Sequence, residues 1–207
     1  GLDALKLLKD KNFAIFFISS ILICIPLAFY YQNAGLFLAD IKVSNPTGKM
    51  AIGQVSEALF LLAIPVFFSK YGFKKTILVG MLAWALRYVL FAYGNADNLS
   101  FMLIIGIALH GVCYDFFFVS GQIYTNSKAG DQVKSAAQGI ITLATYGLGM
   151  LIGFMVAGQI TDMYKSGDVT DWKMVWIIPA GIAAVVFLLF AVLFNDKTKA
   201  EIEAKTV

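Results

Sequence analysis

Charge is scarce in this sequence. Asp, Glu, Lys and Arg make up 14% of its 207 residues, hydrophobic residues make up 59%, and the mean hydropathy is +0.78. Globular domains carry about 25% charged residues, so this balance belongs to a membrane protein. The net charge of +3 is too small to call for a nucleic-acid partner. Only four prolines and two cysteines are present. Cys24 and Cys113 both fall inside apolar runs, which excludes a disulfide framework and suits small core residues. There is one histidine, His110, and no HExxH, paired metal cysteines or Walker loop, so no metal or other cofactor is expected. The first apolar run, 13–38, is not expected to be a secretory signal, being too long for one and lacking a small-residue cleavage pattern. The opening GLDALKLLKDKN has no initiator Met and reads as the middle of a longer polypeptide.

What is abundant is apolar length. Stretches able to cross ~30 Å of hydrocarbon recur near 13–38, 50–69, 75–93, 99–124, 136–161 and 173–194. The separators, such as IKVSNPTGK, SKYGFKK, YGNADN and TNSKAGDQVK, hold turn formers or charges. Spans of this kind are helical, because β-spans would alternate in polarity over about ten residues. The expectation is an all-α membrane protein of six transmembrane helices with both termini on one side. With the termini inside, Lys6, Lys9, Lys11, Lys70, Lys74, Lys75, Lys128, Lys134, Lys197, Lys199 and Lys205 are internal. Lys42, Lys49, Lys165 and Lys173 are then external, and this eleven-to-four bias puts both termini in the cytoplasm. Trp172 and Trp176 suit interfacial anchors at the outer start of the last span.

Four ionisable residues lie within the spans: Glu57, Arg87, His110 and Asp115. A charge at the bilayer centre costs about 2.5–3.5 kcal/mol on the most lenient scale, so such groups face a bundle interior or a water cavity. Arg87 is expected to turn inward and meet a carboxylate in a structural ion pair, Glu57 by depth or else Asp115, or to meet backbone carbonyls. Gln54 and Glu57 are three residues apart, and His110 and Tyr114 four, so each pair shares a helix face. The first span adds YYQN, Tyr30 to Asn33, where lipid contact would favour Leu or Ile. Amides, carboxylates and aromatic faces together suit a sugar joined to a flat ring. In the fifth span Gly149 and Gly153 form a GxxxG, a signal of close helix packing; with no preceding strand it is not a dinucleotide loop.

Rival chemistries fit less well. A rhomboid-type protease needs G-x-S-G with a histidine on another helix, whereas FVSG carries Phe118 first and His110 shares a helix with Ser120. A water channel needs two NPA motifs, and one NPT is present. A receptor or scaffold would have little use for four buried ionisable groups. A carrier for some polar metabolite remains.

The sequence IGQVSEALFLLAIPVFFSKYGFKKTILVGMLAWALRYVLFAYG resembles the seventh-to-ninth-helix region of nucleoside–proton symporters, the bacterial nucleoside permease group of the major facilitator superfamily. HGVCYDFFFVSGQIY is similar to their tenth helix, KSAAQGIITLATYGLGMLIG to their eleventh and DWKMVWIIPA to the start of their twelfth. The resemblance implies the carboxyl-terminal six-helix half of a twelve-helix carrier, partnered by an N-terminal half, in the lipid bilayer of a bacterial cytoplasmic (inner) membrane. It implies proton-coupled nucleoside uptake, with no enzymatic step. Gln54 and Glu57 would bind ribose hydroxyls, Tyr114 would stack on the base, and Asp115 would be tied to proton coupling. Beyond the resemblance, Tyr31 is expected beside the base, His110 as a polar contact, and Glu57 as the other acid able to carry the proton. Two departures mark this chain: His110 stands where better-known members have tyrosine, and Tyr114 replaces phenylalanine. Family Gln and Asn ligands fall opposite Ala28 and Tyr31, leaving Gln32 and Asn33 to compensate from a shifted face.

Overall fold

The structure, a computed structural model, describes residues 2–195. Of the inner basic residues, Lys197, Lys199 and Lys205 lie outside that range. A short 3-10 segment, Leu2–Lys9, leads into α1 (Lys11–Asp40), and α2 (Pro46–Tyr93) follows. Then come α3 (Ser100–Ala129) and α4 (Lys134–Met163). A small antiparallel hairpin, β1 (Lys165–Ser166) with β2 (Val169–Thr170), leads into α5 (Trp172–Leu193). Among the described residues these five helices are long and apolar enough to cross a membrane.

Helix boundaries follow the polar punctuation. Asp10 caps α1 by accepting from the Asn12 and Phe13 amides at 2.8 and 3.0 Å. Asn45 caps α2 from the left-handed region, accepting from the Gly48 amide at 3.1 Å, with Pro46 in the first turn. Asp171 starts α5 through the Met174 amide at 3.2 Å.

α2 is not one rod. As a straight helix its 48 residues would span ~72 Å, more than twice the hydrocarbon thickness. At Gly72 the backbone turns to φ 75, ψ 172, a conformation open essentially to glycine. The two arms then lie on either side of α3. A Cβ on Gly53 of the first arm would touch the His110 Cβ at 3.4 Å, and Arg87 of the second arm bonds the same histidine at 3.0 Å. In a straight helix these two residues would stand ~50 Å apart, so α2 doubles back within SKYGFKK.

Contacts between helix ends fix the packing. Trp172 Nε1 donates to Asp40 Oδ2 at 2.6 Å at one end of the bundle. At the other end the Asn195 amide donates to Asn12 Oδ1 at 2.9 Å, and Lys128 meets Asp10 at 3.5 Å. Near that second end an aromatic core gathers Phe73, stacked on Tyr124 at 4.1 Å, with Phe16 and Phe194 against them. Gly149 and Gly153 do what a GxxxG suggests. A Cβ on either would stand 2.9 Å from a backbone oxygen of α1, so α4 and α1 touch backbone to backbone.

Two π-helical turns interrupt the long helices, Asp115–Val119 in α3 and Leu143–Gly149 in α4. Such turns cluster at functional sites because they re-aim side chains within an unbroken helix.

Candidate functional site

The site forms where the first arm of α2, the middle of α3 and the second arm of α2 converge, with α1 behind. Gly111 makes the convergence possible. A Cβ there would stand 2.6 Å from the Glu57 amide nitrogen, so only glycine lets α3 and the first arm meet this closely. The Ser56 hydroxyl clamps the crossing by donating to the Ala108 carbonyl. Glu57, in the next position, is thereby held with Oε2 at 3.6 Å from His110 Nε2, its side chain 36% exposed.

His110 is buried and touches three elements. Its Nδ1 lies 3.0 Å from Arg87 Nη1, its ring stacks on Tyr30 at 5.3 Å, and Tyr114 follows at 5.7 Å on the same helix face. Arg87 is completely buried, with its guanidinium 3.6 Å from the Tyr30 ring centre, a close cation–π contact. The expected ion pair between Arg87 and Glu57 is not made directly. The imidazole of His110 stands between them, because the arms carrying the two charges lie on opposite sides of α3.

The other expected residues divide. Gln54 is exposed one turn before Glu57. Tyr31 is 48% exposed beside Tyr30 and within electrostatic reach of Glu57, Arg87 and Tyr114. Tyr114 is half-buried, and its hydroxyl is hydrogen-bonded to that of Tyr146 in the π-turn of α4. Asp115 opens the π-turn of α3; it is buried, within electrostatic reach of Glu57, and its Oδ2 has no hydrogen-bond partner among the described residues.

Gln32 and Asn33 are not brought to this wall. Successive helical residues turn by about 100°, which carries both away from Tyr31 and onto the face packed against α4. Asn33 Nδ2 donates to Thr161 Oγ1 at 3.0 Å. In the orientation that satisfies both ends of its amide, Gln32 donates to the Phe154 carbonyl at 3.2 Å and accepts from the Gly158 amide at 3.3 Å. Both line a separate cavity of about 560 Å³ with Asp40, Asp162 and Trp172.

Tyr30 and Tyr146 escaped the sequence reading. Tyr30 was visible in YYQN, but nothing in a single helix says which of two adjacent tyrosines turns inward. Tyr146 stood out only as a phenol among the small residues of LATYGLG.

A bundle of membrane-length helices with a buried arginine, histidine and aspartate defines a multi-pass membrane protein. The chain belongs to the Nucleoside H+ symporter family, whose profile matches residues 1–199. It is 42% identical over 204 residues to the putative nucleoside transporter YegT of Escherichia coli, covering 95% of this chain and 48% of that protein. It is 34% identical over 208 residues to the E. coli nucleoside permease NupG, covering 95% and 50%. The E. coli xanthosine permease is 29% identical over 201 residues, covering 92% and 48%. A crystal structure of NupG superposes with a TM-score of 0.84 at 35% identity, over 95% of this chain and 51% of that one. The chain thus spans about half the length of the relatives it matches, and those relatives are permeases rather than enzymes.

Proposed function

We propose that this chain forms one wall of a proton-coupled nucleoside carrier that works by alternating access, with a second six-helix half supplying the opposite wall. The observation that carries the proposal is the convergence of Glu57, His110, Tyr31 and Tyr114 in a chain of the symporter family. Glu57 and Gln54 hold ribose hydroxyls, Tyr31 and Tyr114 flank the base, and His110 adds a polar contact. Asp115 carries the proton, with Glu57 as the other acid within reach; an unbonded carboxyl oxygen in a buried turn is a place for a proton to sit. Gln32 and Asn33, turned toward α4, stay outside this set.

In this reading the two arms of α2 are separate crossings, so the chain crosses the inner membrane six times with both termini in the cytoplasm. The lysine bias supports that orientation, and the gathering of Asp10, Lys128, Phe73 and Asn195 toward one end supports placing both ends on the same side. Substrate at the interface of two such halves is reached from each side in turn as the halves rock. Uptake of labelled nucleosides by the full-length protein, with and without a proton uncoupler, tests the function. Accumulation that collapses with the uncoupler is expected, and accumulation indifferent to it would refute the coupling.

A further inference from the structure

A completely buried guanidinium ordinarily sits against a carboxylate. Arg87 does not: the rings of Tyr30 and Phe91 flank its guanidinium at 3.6 and 5.5 Å, the Cys113 thiol lies beside it, and among the described side chains its close nitrogen contact is His110 Nδ1 at 3.0 Å. The chemistry of that one contact settles the state of the histidine. A guanidinium has five N–H donors and no lone pair, so Nδ1 has to be the acceptor. The ring hydrogen then belongs on Nε2, the nitrogen that faces Glu57 Oε2 at 3.6 Å. Both neighbours agree on this choice. The opposite tautomer would point N–H at N–H on the Arg87 side and a lone pair at a carboxylate on the Glu57 side.

We propose that Arg87 is a positioning residue that locks His110 with its hydrogen on Nε2, so that His110 and Glu57 offer a sugar hydroxyl a donor beside an acceptor. The separation matters. At 3.6 Å the two groups are too far apart to satisfy each other, since an N–H···O bond closes at about 2.7–3.2 Å. A hydroxyl seated to one side of the pair, about 2.8 Å from each atom, accepts from Nε2–H and donates to the carboxylate, using both of its capacities at once. A deoxy sugar offers neither, and leaves both wall groups unpaired. The inference deepens the nucleoside reading and rests on it for the ligand, though not for the tautomer. The groups facing the imidazole are Tyr30 from α1, Glu57 from the first arm, Arg87 from the second and Tyr114 from α3 itself.

The test uses the full-length carrier labelled with 15N-histidine, the His110 signals being those lost in His110→Gln. The wild type is expected to carry hydrogen on Nε2 and a bare Nδ1. In Arg87→Met, which keeps bulk and removes the donor, the tautomers should mix. The preference for a ribonucleoside over its 2′- or 3′-deoxy analogue, measured by equilibrium binding, should then fall about tenfold, the worth of roughly one hydrogen bond. Arg87→Lys, which restores a cationic donor, should recover most of that preference. In the His110→Gln background Arg87→Met should add little further loss, because its effect passes through the imidazole. A wild-type His110 with hydrogen on Nδ1 overturns the inference alone and needs no variant that folds. An unchanged preference in a folded Arg87→Met protein also overturns it. A carrier that binds no nucleoside overturns the hydroxyl assignment together with the proposed function.

Discussion

At the scale of residues, two acids near one another stand in different surroundings. Glu57 is part-exposed and faces an imidazole N–H, whereas Asp115 is buried in a π-turn with one oxygen unbonded. The proposed function gives the first the substrate and the second the proton. Replacing Asp115 by Asn in the full-length carrier should abolish uphill, proton-driven accumulation while nucleoside binding persists. Replacing Glu57 by Gln should weaken binding itself, by about 1.5–3 kcal/mol, since a hydrogen bond to a charged group is lost. Uptake under a pH gradient, set beside equilibrium binding, separates the two. If the Asp115 variant still concentrates nucleoside, the proton role moves to Glu57. Part of the cluster was legible: spacing put His110 and Tyr114 on one face, and their rings lie 5.7 Å apart. The YYQN stretch did not say that Gln32 and Asn33 turn toward α4, because a residue's neighbours across a helix depend on how that helix is rotated in the bundle.

At the scale of elements, the turn in α2 and the π-turns decide where side chains point. Gly72 sits at φ 75, ψ 172 with open space around its α-carbon, so a substitution there suffers from backbone strain rather than a clash. Gly72→Ala should lower stability by about 1–3 kcal/mol, seen as earlier thermal unfolding in detergent; unchanged unfolding would deny that the turn is strained. Gly111→Ala should cost a similar amount, about 1–3 kcal/mol, for the opposite reason, because its Cβ drives into the Ser56–Glu57 backbone. It should also loosen nucleoside binding by displacing Glu57. The hydroxyl of Tyr114, the residue before the π-turn of α3, bonds that of Tyr146 in the π-turn of α4, and Tyr146 stacks on Phe118 at 5.8 Å. Tyr146→Phe keeps the stack and removes the bond. It should cost about 0.5–1.5 kcal/mol of stability, and a larger loss would mean that the phenol holds more than this one partner.

At the scale of the whole molecule, orientation in the membrane is the open geometric statement with the most direct check. Both cysteines of this chain are buried, so they add no background of their own to introduced thiols. With a membrane-impermeant reagent on intact cells, Ser166→Cys in the hairpin should label and Gln132→Cys, between α3 and α4, should not. The reverse pattern would invert the topology and with it the assignment of the lysine-rich ends.

The sequence by itself determined the class of protein, because hydropathy and span length register the solvent a segment must sit in, and neither needs a partner to be counted. It placed α1, α3, α4 and α5 to within a few residues, and it marked SKYGFKK as a break within what the backbone joins as α2. GxxxG likewise announced a close approach, since only small residues permit one. Only the tertiary structure decided that Arg87 faces His110 rather than a carboxylate, that Tyr30 and not Tyr31 backs the cluster, and that Gln32 and Asn33 look toward α4. Depth along a helix follows from counting residues, but azimuth does not. A rotation of about 100° per residue means that small differences in helix tilt and crossing decide which side chain meets which.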